Sequence, residues 1–235
     1  MARRWSKPLI VILASAGVIA ALVWTGRWAR DWLDRRGHFN VAIADIQCPV
    51  PPGLDRATFL SEVQYLSGLP DRISTVDPAV VLRLASAFAA HPWVEHFDSL
   101  ALRAPDGPRA ILQLRTPILA VGDRVVDRLG VLLPSGTSTH GLIAFRGTTP
   151  SPKGPAGAPW GDPLVEAAAR IAALLVPFQD RLHLTDVRAA PDDLTFAGAI
   201  TLHWGPAGDD EAKLQRLRER LAKPDPLPET IDLTR

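Results

Sequence analysis

An uninterrupted apolar run from Pro8 to Thr25, PLIVILASAGVIAALVWT, constrains this chain more than any other feature. It holds no charged residue. As a helix rising about 1.5 Å per residue it would reach roughly 27 Å, near the hydrocarbon thickness of a bilayer. Trp5 and Trp24 flank it, and Trp28 and Trp32 continue at i+4 spacing, where an interfacial aromatic belt would sit. A signal peptide would need a shorter apolar core ending at a small-residue cleavage site. Here the A-x-A of Ala14 to Ala16 lies mid-run, and the run ends in Trp24, Thr25, Gly26 and Arg27. The reading is an uncleaved transmembrane anchor over 8–25, with a short tail over 1–7 before it and a charged juxtamembrane helix over 26–37 that Gly37 stops. Arg3, Arg4 and Lys7 on one side oppose Arg27, Arg30, Arg35 and Arg36 on the other, so local charge does not orient it.

The remainder of the chain has the opposite charge balance. Residues 1–36 carry a net +5 and the rest a net −4, within an overall +1 over 235 residues. A mildly acidic body lacks the clustered basic surface that phosphate neutralisation needs, which argues against nucleic-acid binding. At 47% hydrophobic and 22% charged residues, the chain is too apolar to be mainly disordered. The single cysteine, Cys48, rules out an intrachain disulfide framework and a Cys-rich zinc site.

Two regions follow the juxtamembrane segment. In the first, 38–116, FNVAIADI (39–46) alternates as a strand does. Asp55 is placed to cap a helix with Phe59, Val63 and Leu66 on one face. Asp77-Pro78 caps a second helix with Val81, Leu84 and Phe88 inward, and Pro92 ends it near His91. Strands over 94–103 and 109–115 flank the turn Ala104-Pro105-Asp106-Gly107-Pro108. This order, β-α-α-β-β, predicts a three-stranded sheet with two helices on one face. In the second region, 117–235, short strands are expected at 118–121, 124–127, 131–133 and 142–145, followed by a Gly/Pro-rich loop over 147–163. Asp162-Pro163 opens a helix with Leu164, Ala168, Ile171 and Leu175 inward. Strands at 182–188, 194–196 and 199–204 come next, then a charged helix over 210–222 with Leu214, Leu217 and Leu221 on one side. After Pro224, Pro226 and Pro228 the chain ends in a strand over 230–234.

The sequence offers little catalytic chemistry. His91, Glu95 and His96 form its densest polar cluster, but two histidines at i, i+5 do not share a helix face, and Pro92 prevents a helix there. Ser135, Ser138 and His140 lie in a turn-rich stretch with no G-x-S-x-G elbow. No phosphate-cradling glycine loop is present: Gly154 and Gly157 lie between prolines with no Lys-Ser/Thr after them. No catalytic, metal-ligating or cofactor-binding residue is therefore nominated, and no cofactor or small-molecule substrate is expected. The positive mechanism lies in backbone. A short C-terminal strand at the rim of an antiparallel sheet offers N–H and C=O groups to a partner strand unless its own chain covers them. Thr230, Ile231, Asp232, Leu233 and Thr234 are the candidate partner-binding residues, with Ile231 and Leu233 on one face and Asp232 and Thr234 on the other.

The order of pieces resembles the bacterial division proteins FtsQ and DivIB. Three segments carry the resemblance: His91-Pro92-Trp93-Val94; Arg115-Thr116-Pro117-Ile118-Leu119-Ala120 with Val126-Asp127-Arg128-Leu129-Gly130-Val131-Leu132; and Leu202-His203-Trp204-Gly205 with the helix over 210–222 and Ile231-Asp232-Leu233. The resemblance implies an α+β chain with a single N-terminal transmembrane helix, a POTRA-like domain over 38–116 and an antiparallel β domain with two helices over 117–235. It also implies a non-enzymatic scaffold of the division complex at the septum. The bulk of the chain would lie outside the cytoplasm, the bilayer would be engaged through 8–25, and FtsL-like and FtsB/DivIC-like single-pass proteins would be the partners. Leu114, Leu132, Thr234 and Arg235 depart from the family pattern. Two other readings compete: a POTRA-type chaperone-like module of a secretion or outer-membrane assembly system, and a membrane-tethered cell-wall enzyme.

Overall fold

The computed structural model describes residues 6–35, 40–190, 192–223 and 226–234, with side chains of the first helix described over 15–29. The tail over 1–5 with Trp5, the stop at Gly37, the strand start at Phe39, Pro224 and Arg235 lie outside the described residues, as does the side chain of Trp32. The chain is α+β and forms two compact units. One comprises Met1–Cys48, Leu60–Ala87 and Ser99–Ala110; the other comprises Pro49–Phe59, Phe88–Asp98 and Ile111–Arg235.

The transmembrane helix expected over 8–25 is not supported. Helix α1 runs Ser6–Arg35, yet among the described residues no helix is long and apolar enough to cross a membrane. The side chains described on α1 are those of 15–29. Within that stretch Thr25, Gly26 and Arg27 interrupt the apolar residues.

Over 38–116 the expected three-stranded sheet is replaced by smaller pieces. β1 (Asn40–Ala42) pairs antiparallel with β2 (Arg72–Ser74), a strand with no clear sequence signal, in the register Val41↔Ile73. β3 (Val94–Ala101) and β4 (Arg109–Leu114) form a separate two-stranded sheet. A single parallel bridge links Gln47 with Arg109, where the Gln47 N–H donates to the Pro108 carbonyl at 2.9 Å and the Ala110 N–H to the Gln47 carbonyl at 2.9 Å. The element order is thus β-α-β-α-β-β. The chain leaves strand geometry at Ile43–Asp45, a 3₁₀ turn, too early to line a third strand along β4.

Helix starts follow from capping. Asp55 precedes α2 (Arg56–Ser67): its carboxylate accepts the Thr58 N–H at 2.8 Å and the Thr58 hydroxyl at 2.9 Å. Those two bonds hold the Asp55 carboxyl below its ordinary value. Phe59, Leu60 and Val63 are buried on α2, whereas Leu66, expected inward, is 49% exposed. Asp77 accepts the Ala79 N–H at 2.9 Å as α3 (Pro78–Ala90) begins, and α3 stops two residues before Pro92, burying Leu84, Ala87 and Phe88.

The second unit is built on a sheet whose strands run β11-β10-β9-β8-β7-β5-β6 among the described residues. These are β5 (Leu119–Val121), β6 (Arg124–Val126), β7 (Ile143–Arg146), β8 (Leu184–Ala190), β9 (Asp193–Gly198), β10 (Thr201–Gly205) and β11 (Thr230–Asp232). The expected antiparallel domain is in fact mixed: β5–β7, β7–β8 and β10–β11 pair in parallel. Parallel neighbours need long crossovers. Between β7 and β8 the chain passes through α4 (Pro163–Leu175) and the short α5 (Gln179–Leu182), and between β10 and β11 through α6 (Asp210–Ala222). One row of buried side chains crosses five strands in register: Phe145, Val187, Phe196, Leu202 and Ile231. Val165, Ile171 and Leu175 of α4 and Leu214, Leu217 and Leu221 of α6 join the same core. A smaller cluster, Trp93, Val125 and Leu133, lies in this unit as well.

A candidate partner-binding edge

The rim at β11 is set by the helix before it. Asp210 opens α6 and accepts the Trp204 indole N–H at 3.0 Å and the Gly208 N–H at 3.3 Å, while Arg170 donates to its other oxygen at 3.2 Å. Burial pushes this carboxyl up, but the three donors outweigh it and hold Asp210 below its ordinary value of 3.8. Trp204 is fully buried, and Lys213 lies over its ring at 5.9 Å while donating to the Pro206 carbonyl at 2.6 Å. Beginning of helix and end of strand β10 are therefore tied together. The leucine stripe of α6 then covers the face on which Ile231 and Leu233 are buried.

β11 pairs with β10 in the register Thr201↔Thr230, Leu202↔Ile231 and His203↔Asp232. The Thr201 N–H donates to the Glu229 carbonyl at 2.8 Å and the Leu233 N–H to the His203 carbonyl at 2.9 Å. Odd-numbered backbone groups thus face β10. By the two-residue alternation of a strand, the Thr230 N–H and C=O face the opposite side. Strand geometry ends at Asp232, two residues before the expected end. The Asp232 carboxylate accepts the Thr234 N–H at 2.9 Å and its hydroxyl at 2.7 Å, a side-chain turn that diverts Thr234 from the ladder. The Arg216 guanidinium donates to the Leu233 carbonyl, a contact the sequence did not signal.

The far end of the same sheet is closed by its own chain. Outside β6, the Leu133 N–H donates to the Val125 carbonyl at 2.9 Å and Val126 bridges Leu132. The next layer outward is also paired: the Leu132 N–H to the Ala158 carbonyl at 2.9 Å, Gly157 to Leu132 at 2.8 Å and Trp160 to Gly130 at 2.9 Å. Part of the Gly/Pro-rich loop over 147–163 is thus an edge cover. The sheet has one covered end, and its other end is the strand that carries the candidate residues.

The polar cluster noted in the sequence is dispersed. His91 is buried with its ring edge-on to Phe59 at 4.8 Å, Glu95 pairs with Arg128, and His96 lies 3.3 Å from Asp98. Among the described residues, no group of three His, Cys, Asp or Glu side chains is placed to hold a metal ion. A groove between the β5–β6 turn and residues 147–152 holds Asp123 and Arg124, 3.7 Å apart, beside Trp160. No known protein-family model matches the chain. A search of curated proteins likewise gives no significant match.

Proposed function

We propose that this protein is a non-enzymatic scaffold of the bacterial division complex that captures a partner strand along β11. Its folded units would lie on the extracytoplasmic side of the cytoplasmic membrane, and FtsL-like and FtsB/DivIC-like proteins would be its partners. The observation that carries the reading is the asymmetry of the sheet: β6 is covered by 130–133 and 157–160, whereas the strand order stops at β11. A strand added there would use main-chain hydrogen bonds for affinity and side chains at alternate positions for selectivity. The order of motifs from His91 to Leu233 supplies the division context.

Removing residues 229–235 should abolish recovery of an FtsB/DivIC-like partner in a pull-down. That truncation also deletes Ile231 and Leu233, each 5% or less exposed and each contributing about 1.5–3 kcal/mol of burial. A second variant separates binding from folding. Thr230→Pro removes an N–H that points away from β10, so the sheet should persist while partner affinity falls by about tenfold or more. Unchanged capture by a folded Thr230→Pro chain would count against the edge.

A further inference from the structure

The polar face of the seven-stranded sheet carries a row that the register defines. Arg146 is the partner of Arg188 across β7 and β8, Arg188 of Thr195 across β8 and β9, Thr195 of His203 across β9 and β10, and His203 of Asp232 across β10 and β11. The neighbouring row, Phe145 to Ile231, is buried in the core, so this row faces away from it. Thr195 and His203 satisfy each other, with Oγ1 and Nδ1 at 3.1 Å. The two arginines are different. Both are exposed, and among the described residues neither guanidinium has a hydrogen-bond or ion-pair partner. In the same unit Arg115, Arg128, Arg170, Arg181 and Arg216 all bond to carboxylates or carbonyls.

Like charges at directly opposed positions on adjacent strands destabilise a sheet. Arg146 and Arg188 stand about 4.8 Å apart along the hydrogen-bonding direction, on central strands flanked on both sides, so their backbones cannot move apart. An anion between them would relieve the repulsion and accept charge-assisted hydrogen bonds. We infer that Arg146 and Arg188 form a recognition site for the carboxylates of an acidic peptide segment laid across the open sheet face. The surrounding charge favours a peptide over a membrane. Asp186 lies two residues before Arg188 on the same face, opposite Ala144, and Asp232 ends the row. A uniformly anionic surface would be repelled by both, whereas a peptide can present single carboxylates to the arginines alone.

The test uses the full chain and two labelled eight-residue peptides, one alternating Glu with Ser and one alternating Gln with Ser, read by fluorescence anisotropy. At low salt the Glu peptide should bind about tenfold tighter than its Gln counterpart, and added salt should erode the difference. Arg146→Gln/Arg188→Gln should abolish the preference with an unchanged circular dichroism spectrum, and Arg218→Gln, on the exposed side of α6, should retain it. Equal binding of the two peptides, or a preference surviving the double substitution, would overturn the inference. Tighter binding of phosphatidylglycerol vesicles or inorganic phosphate than of the Glu peptide would overturn it too. Thr230→Pro keeps both arginines and should bind the Glu peptide as the unaltered chain does. A loss there would move the anion site to the terminal edge and overturn the assignment to β7 and β8, so failure of this inference is distinguishable from failure of the proposed edge pairing.

Discussion

Asp127 has no exposed surface, and its carboxylate serves three donors. Arg115 approaches one oxygen at 2.6 Å, and the N–H groups of Leu129 and Val131 bond to the other at 2.8 and 2.9 Å. Buried ion pairs offset their desolvation only when such additional bonds are made. The Arg115 side is less complete, since its Nε is buried with no partner among the described residues. The turn so fastened includes Gly130 at φ +73°, where a Cβ would come within 2.9 Å of the Glu166 backbone. Residues 115–120 and 126–132 stand out in the sequence as a pattern, but that Arg115 reaches Asp127 is a tertiary fact. Asp210 supports a prediction at this scale. Because its folded pKa lies below the ordinary 3.8, its contribution to stability is complete above that value and is lost as pH falls through the folded pKa. Asp210→Asn should lower stability by about 1–2 kcal/mol at pH 7, and the gap should close toward pH 3. Urea midpoints that differ equally at both pH values would contradict this.

Helix boundaries were the most legible elements. Asp162 accepts the Leu164 and Val165 N–H groups at 2.8 and 3.3 Å with Pro163 at the first helical position, as the dipeptide implied. α6 spans Asp210–Ala222, the stretch that leucine spacing marked. Strand partners were not legible. β2 is three residues long, and it exists because β1 pairs with it rather than through any pattern of its own. Two of the three parallel pairings, β7–β8 and β10–β11, depend on where the crossovers through α4, α5 and α6 return the chain, and the third, β5–β7, on the return through β6; alternation of apolar residues encodes none of these. Leu66 shows the same limit on a helix: its period matches Phe59, yet the buried stripe runs through Leu60 and Val63 instead. Close approach between elements yields a second prediction. A Cβ on Gly198 would lie 2.0 Å from the His183 carbonyl oxygen, beside the register shift that follows the Leu184↔Gly198 pair. Gly198→Ala should therefore cost about 1–3 kcal/mol by forcing β8 and β9 apart. A thermal midpoint equal to that of the unaltered chain would show that the backbone yields freely there.

At the scale of the whole molecule, location can be tested directly. A phosphatase reporter that works only outside the cytoplasm, fused after Arg235, should be active; activity of a cytoplasm-dependent reporter at the same point would overturn the proposed placement of the folded units. The sequence by itself determined where α2, α3, α4 and α6 begin, which leucines of α6 turn inward and that the last residues alternate Ile231 and Leu233 with polar neighbours; it did not signal α5, whose last residue it placed in a strand. Caps, prolines and apolar spacing act within a turn or two of chain, so single residues specify them. Tertiary structure alone decided which end of the sheet is covered, that 157–160 closes over 130–133, and that Arg146 and Arg188 stand side by side. Those arrangements are hydrogen-bond pairings between segments tens of residues apart. Each strand can satisfy its backbone with any complementary neighbour, so the choice belongs to the packing of α4 and α6 on one shared core.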